Sequence, residues 1–91
     1  MSWVEIIEQL ERGEQRCAYF ENGKWIVDFN VKQEILNAFK AGELIEHNGF
    51  VDKHNLLPQT FKVSNKIRLV PGGSSVRKGA YIAPGVIIMP P

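Results

Sequence analysis

The sequence Val70–Pro91, VPGGSSVRKGAYIAPGVIIMPP, has a regularity with a period of six residues. Its large aliphatic residues at this spacing are Val70, Val76, Ile82 and Ile88. A glycine follows each of the first three after three residues, and a small or β-branched residue comes directly after that glycine. Neither a helix nor a strand repeats every six residues, whereas the short faces of a β-solenoid do. The stretch therefore predicts the start of a β-solenoid with glycine at its corners, because positive φ costs glycine little.

The chain before this stretch has the pattern of two helices that flank a β-hairpin. The predicted elements are a helix over 3–12, strands over 16–21 and 24–29, and a helix over 31–41. Asn22-Gly23 between the two strands is a strong hairpin signal, since both turn positions tolerate positive φ. A further short strand is expected around 44–46, and residues 53–66 are interpreted as an irregular connector.

Signals at the helix ends fix the expected boundaries. Ser2 and Glu5 have the spacing of a capping box, and Asn30 with Gln33 repeats that pattern before the second helix. Glycines 13 and 42 are expected to end the two helices. The predicted fold is therefore α+β, with an N-terminal helix–hairpin–helix domain over 1–67 and the start of a solenoid over 68–91.

Composition excludes several classes of protein. The 91 residues suffice for one small domain, and 44% hydrophobic residues is ordinary for a globular chain. A net charge of +1 with interspersed signs gives no footprint for nucleic acid or for a membrane surface. The single cysteine excludes an intrachain disulfide and fits a reducing compartment such as the cytoplasm. Acidic residues at positions 5, 8 and 11 interrupt what would have to be the apolar core of a signal peptide.

Several short motifs accompany the six-residue repeats, and they are Leu10-Glu11-Arg12-Gly13, Arg16-Cys17-Ala18, Gly23-Lys24-Trp25, Val31-Lys32 and Arg68-Leu69-Val70-Pro71. Together with the repeats, these motifs resemble the tetrahydrodipicolinate N-succinyltransferase family of hexapeptide-repeat acyltransferases. The repeats alone indicate only the class, whereas the combination is more specific. Phe29 and Gln33 depart from the family pattern, which more often has tryptophan and lysine at these positions.

The resemblance implies a fold and an activity for the parent protein. The solenoid would be the first coil of a left-handed β-helix, and the parent a cytoplasmic homotrimer. Its reaction would transfer succinyl from succinyl-CoA, a co-substrate, to tetrahydrodipicolinate in lysine (diaminopimelate) biosynthesis. The family's acidic catalytic residues and CoA groove lie further along the β-helix. We therefore expect the chain to be an inactive N-terminal portion that binds no cofactor or metal.

Arg68 is the one candidate binding residue. From the residues alone, it would be a solvated arginine at the edge of the solenoid. The resemblance implies that it helps to bind the dicarboxylate acyl acceptor, a task that suits a guanidinium because it pairs bidentately with carboxylates. No residue is assigned a catalytic role. A non-enzymatic interaction module and an acyltransferase with another donor, such as acetyl-CoA, remain alternatives.

Other conspicuous side chains have simpler interpretations. Cys17 is expected to be a buried small hydrophobe, and His47 and His54 ordinary loop residues, because two histidines do not make a metal site. Trp3, Trp25 and Phe39 are expected in the core. Gly72-Gly73-Ser74-Ser75 lacks the lysine of a phosphate-binding loop and is interpreted as a solenoid corner.

Overall fold

The structure is a computed structural model that describes residues 2–90. Two helices and three two-stranded sheets give it an α+β architecture, as predicted. The elements in chain order are α1 (Trp3–Arg12), β1 (Ala18–Glu21), β2 (Lys24–Val27), α2 (Phe29–Ala41), β3 (Leu44–His47), β4 (Phe50–Lys53), a 3-10 turn (Val63–Asn65), β5 (Arg68–Leu69) and β6 (Ile87–Ile88). Neither helix in this described part has the length and apolarity that crossing a bilayer requires.

Helix α1 has the predicted bounds, and its end confirms the role expected of Gly13. That residue has a φ of +78°, and the N–H of Glu14 donates to the carbonyl of Gln9 at 2.9 Å. This left-handed ending satisfies a carbonyl that the last helical turn leaves free. The start of the helix differs from the prediction, because the side chain of Ser2 makes no capping hydrogen bond. The predicted capping box with Glu5 is therefore wrong.

Helix α2 begins two residues earlier than predicted, because its cap is Asp28 and not Asn30. One carboxylate oxygen of Asp28 accepts hydrogen bonds from the backbone N–H groups of Asn30 and Val31, at 3.1 and 3.2 Å. A carboxylate at this position satisfies two N–H groups that the first helical turn cannot pair. Phe29 consequently belongs to the helix, and the preceding strand ends at Val27.

Gly42 ends α2 as predicted, although not by adopting a left-handed conformation. Its φ is −85°, which any residue can adopt. A Cβ atom at this position would overlap the side-chain amide of Asn55 and lie 3.0 Å from the Cβ of Lys53. Glycine is therefore required by the close approach of the following loop.

Two β-hairpins follow the same turn chemistry. In the first, β1 pairs with β2 through Asn22-Gly23, whose φ values are +52° and +76°. In the second, β3 pairs with β4 through Asn48-Gly49, at +51° and +83°. The first hairpin was predicted. The second hairpin was not predicted as a hairpin, because strand β4 was missed although the same Asn-Gly signal precedes it.

The core lies between the two helices and is closed by the connector. Ile7 of α1, Ala38 of α2 and Leu56 are buried together, and Leu56 is only 2% exposed. The partly buried residues packed against them are Trp3, Leu10, Ile35 and Phe39. The segment interpreted as an irregular connector thus supplies one of the three central core residues.

The six-residue repeats wind into a single turn whose end returns beside its beginning. Strands β5 and β6 pair in parallel, and the N–H of Val70 donates to the carbonyl of Ile88, eighteen residues later, at 3.0 Å. Gly73, Gly79 and Gly85 have closely similar φ values of +95°, +103° and +93°. Three glycine corners therefore repeat at the predicted spacing within this turn, which we call the coil (residues 68–90).

We expect Gly85→Ala to destabilise the chain by about 1–3 kcal/mol, because non-glycine residues rarely adopt a φ near +93°. No heavy atom of another part of the chain would lie within 4 Å of the added Cβ, so the cost is conformational. The measurement is urea unfolding followed by circular dichroism. Ser75→Ala on the exposed surface is the control and should change stability by less than about 0.5 kcal/mol. Equal stabilities of Gly85→Ala and the parent would contradict a left-handed corner.

An ion pair joins the second hairpin to the coil and should give stability a pH dependence. The guanidinium of Arg77 hydrogen-bonds the carboxylate of Asp52, which lowers the pKa of that carboxyl, and the backbone N–H of Lys53 lowers it further. A lowered pKa in the folded state stabilises the protein above the unfolded pKa of about 3.9. This stabilisation is lost as the pH falls through the lower, folded-state value.

Asp52→Asn should therefore destabilise the protein at pH 7 and have a smaller effect at a pH below about 3. The measurement is the difference in melting temperature between the variant and the parent at the two pH values. The matched control is Glu46→Gln, an exposed carboxylate on the same hairpin without an ion pair among residues 2–90. If the change in melting temperature caused by Asp52→Asn were the same at both pH values, the ion pair would contribute nothing to stability.

Candidate functional site

The candidate binding residue Arg68 lies where the helical part of the chain meets the coil. It opens β5, and its backbone N–H donates to the carbonyl of Val86 at 3.0 Å. Side chains alternate along the pair, so that Leu69 and Ile88 are half-buried while Arg68 and Ile87 are exposed. The backbone at Arg68 is therefore fixed, and its side chain extends from the outer surface of the coil.

The guanidinium of Arg68 is available to an external anion. Within residues 2–90 it makes no side-chain hydrogen bond and no ion pair. An arginine carries five N–H donors in a rigid fork, which matches the two oxygens of a carboxylate. The exposed position is the one expected from the residues alone. Its role in binding an acceptor stays a prediction.

Arg77, the neighbouring arginine of the coil, has a different environment from Arg68. Its Nε and Nη2 atoms both donate to one carboxylate oxygen of Asp52, with the Nε–Oδ2 distance at 3.2 Å. Its guanidinium carbon also lies 5.1 Å from the centre of the Phe39 ring, a distance typical of a cation–π contact. Arg77 therefore connects α2, the second hairpin and the coil, and its donors are largely engaged.

A groove separates the second hairpin from the coil. It consists of two adjoining cavities of about 400 and 200 Å³ that share Phe50, Pro58 and Ser75 as walls. Arg77 and Asp52 line one end, and His47 lines the other. The structure does not bring Arg68 into this groove. The candidate binding residue and the groove are thus separate features.

The histidines and the cysteine have no catalytic arrangement in this part of the chain. The Nδ1 atom of His54 accepts a hydrogen bond from the backbone N–H of Glu43 at 3.0 Å, which ties the connector to the residue just before β3. His47 lies beside the amide of Asn48 at 3.2 Å. Among residues 2–90, no three histidine, cysteine or acidic side chains are grouped so that they could hold a metal ion. Cys17 is exposed, so the prediction that it is buried is wrong.

The three aromatic residues expected in the core divide between the core and the surface. Trp3 and Phe39 pack against the core, as predicted. Trp25 is 74% exposed, which contradicts the prediction. Its strand belongs to a two-stranded sheet. The alternation of side chains along a strand shows which residues share a face, but not whether anything packs on that face.

Comparison with known proteins finds relatives that align with nearly the whole chain. No family model matches the chain. Proteins named 2,3,4,5-tetrahydropyridine-2,6-dicarboxylate N-succinyltransferase align with 93–94% of it. They include proteins from Thioalkalivibrio sulfidiphilus at 35% identity, Nitrosococcus oceani at 33% and Coxiella burnetii at 35%. The chain spans about a third of the length of these curated relatives, 33–34% in each case. The resemblance predicted from the sequence is therefore confirmed. Nearly the whole chain is related to tetrahydropyridine-dicarboxylate N-succinyltransferases, and it corresponds to about one third of the length of each.

Proposed function

We propose that this chain forms the acceptor-binding part and the first coil of an enzyme that transfers succinyl from succinyl-CoA to tetrahydrodipicolinate. The observation that carries the proposal is the similarity to succinyltransferases along 94% of the chain at 35% identity. The enzyme would serve lysine biosynthesis in the cytoplasm as a homotrimer. The whole reaction requires the part of these relatives that the chain does not span.

The coil supports this assignment through its geometry. A parallel return after eighteen residues, with a glycine corner after each six, is the arrangement expected of one turn of a hexapeptide β-helix. Val76 is buried, and Val70, Ile82 and Ile88 are half-buried, in line with side chains that point into the turn. We propose that the turn is left-handed, as in hexapeptide-repeat acyltransferases.

The proposed chemistry divides between this chain and the remainder of the enzyme. In acyl transfer, the acceptor amine forms a bond to the thioester carbon, the bond from carbon to sulfur breaks, and the amine loses a proton to a base. A guanidinium such as that of Arg68 cannot serve as the base, because it stays protonated at working pH. Arg68 would instead hold a carboxylate of the acceptor and fix its orientation. The base and the groove for CoA would belong to the remaining two thirds.

We expect Arg68→Ala and Arg68→Lys to raise the KM for the dicarboxylate acceptor at least tenfold and to change the KM for succinyl-CoA much less. A bidentate, charge-assisted contact contributes on the order of 1.5–3 kcal/mol, and lysine cannot reproduce its fork. The test is steady-state kinetics on a chimera in which residues 1–91 replace the corresponding third of the Thioalkalivibrio sulfidiphilus enzyme.

The control for the Arg68 variants is Lys40→Ala, which removes an exposed positive charge from the surface of α2. It should leave both KM values within about twofold of the parent, because a remote surface charge makes no contact with the acceptor. Unchanged kinetics for both Arg68 variants, or a defect confined to succinyl-CoA, would return Arg68 to the role of a solvated edge residue.

The 91-residue chain alone should not turn over succinyl-CoA with tetrahydrodipicolinate, whereas the chimera should. The expectation follows from assigning the proton-accepting group to the remaining two thirds. The activity of both samples is measured as the release of CoA thiol, which a thiol reagent detects. The constant signal from the thiol of Cys17 is subtracted. Turnover by the isolated chain would show that it holds the whole catalytic site. An inactive chimera that folds and trimerises would argue against the proposed succinyltransferase role.

A further inference from the structure

Arg68 has an aliphatic neighbour on the exposed surface of the coil. Strands β5 and β6 run parallel, and their register places Ile87 directly beside Arg68. Paired residues of a sheet project from the same face, and neighbouring strands lie about 5 Å apart. Ile87 is 53% exposed, whereas the next pair along, Leu69 and Ile88, is half-buried on the opposite face. The outer surface at this point therefore presents a guanidinium and an apolar side chain together.

The backbone holds these two side chains in a fixed relation. The N–H of Arg68 donates to the carbonyl of Val86 at 3.0 Å. The N–H of Val70 donates to the carbonyl of Ile88, also at 3.0 Å, so hydrogen bonds lie on both sides of the pair. Ile87 is β-branched, which restricts its rotamers, and the long aliphatic stem of an arginine lies along apolar surface while its charged end stays in water. A ligand held by the guanidinium would thus contact Ile87.

The acceptor proposed above has the two kinds of group that such a pair fits, and the inference rests on that proposed function. The substrate in the relatives' name, 2,3,4,5-tetrahydropyridine-2,6-dicarboxylate, carries its carboxylates on the two ring carbons beside the nitrogen. The three other ring carbons are methylenes and form an uncharged apolar edge. A guanidinium pairs with a carboxylate, and each methylene buried against an aliphatic side chain strengthens binding about fourfold.

We propose that Arg68 and Ile87 form one subsite that selects cyclic diacids. The guanidinium holds a carboxylate, and Ile87 contacts the methylene edge of the ring. Ile87 is thereby a specificity-determining residue for the acceptor. An acyclic diacid with the same charges pairs with Arg68 but gains nothing from Ile87, so the subsite favours the ring over its open-chain counterpart.

The test compares two ligands with the same charged groups that differ in the methylene edge. Piperidine-2,6-dicarboxylate has the ring with its three methylenes, and iminodiacetate has the same nitrogen and two carboxylates without them. Binding of each ligand to the chimera described above is measured by isothermal titration calorimetry, which requires no turnover. We expect the unaltered chimera to bind the cyclic ligand about tenfold more tightly than iminodiacetate.

Two variants of nearly the same shape isolate the apolar contact. Ile87→Val keeps a β-branched apolar side chain and should leave the preference for the cyclic ligand within about twofold of the unaltered chimera. Ile87→Thr has a hydroxyl where valine has a methyl group and should lower that preference about fivefold, with the affinity for iminodiacetate unchanged. Arg68→Ala should weaken the binding of both ligands alike, because both lose a charge-assisted carboxylate contact.

The outcomes separate the role of Ile87 from the proposed function. Equal preferences in Ile87→Val and Ile87→Thr would overturn that role, even if the chimera transferred succinyl normally. A weaker affinity for both ligands and a lower melting temperature in Ile87→Thr would also overturn it, because Ile87 would then pack against the remaining two thirds of the enzyme. Failure of the unaltered chimera to bind either ligand would do the same. A chimera that shows the expected preferences but transfers no succinyl would support the subsite and contradict only the proposed reaction.

Discussion

The docking of helix α1 onto the coil is the contact on which the position of the coil depends. The carboxylate of Glu11 accepts a hydrogen bond from the backbone N–H of Gly79 at 2.9 Å, across 68 positions of sequence. The ring of Tyr81 packs so closely on Gly13 that a Cβ atom there would lie 3.0 Å from it. Arg16 covers the same ring, with its guanidinium carbon 5.1 Å from the ring centre. These three contacts hold the coil against α1 and the segment that follows it.

The connector gives the coil a second support. The N–H of Gln59 donates to the carbonyl of Val76 at 2.7 Å, and the N–H of Lys78 donates to the carbonyl of Leu57 at 3.0 Å. The connector therefore runs antiparallel to one face of the coil and pairs with it. A single turn of a solenoid normally depends on stacked neighbours for its stability. Here the connector and α1 contact the coil where a neighbouring turn is absent from the described residues, and Val76 is buried.

The elements that could be predicted are those whose signals are local. The bounds of α1, the Asn22-Gly23 hairpin and the six-residue spacing of the coil were all read from residues within one element. Local signals also misled where two of them competed. Asp28 and Asn30 are both good caps, and the pattern could not tell which one would take the extended backbone that a cap requires. The hairpin at Asn48-Gly49 carried a sufficient signal that was overlooked.

The contacts that could not be predicted are those between distant parts of the chain. Leu56 belongs to the core although the segment around it has no periodic pattern, and the exposure of Trp25 depends on what fails to pack on its hairpin. Arg68 and Arg77 show that the environment of a candidate binding residue also depends on contacts between distant parts of the chain. Both are arginines on the coil, and although the resemblance singles out Arg68, the sequence around them does not show which of the two guanidinium groups is paired within the chain.

The fold gives these two arginines different electrostatic environments. Arg77 is placed against Asp52 and the ring of Phe39, two groups that lie 25 and 38 positions earlier in the sequence, so its guanidinium is engaged within the chain. Arg68 is held on the outer surface by a backbone pair, with no side-chain partner in the described part of the chain. An anion that approached Arg77 would compete with a carboxylate that is already bound, whereas at Arg68 it would displace only water. Availability to a ligand thus follows from tertiary contacts, and these contacts leave the guanidinium of Arg68, not that of Arg77, open to an external anion.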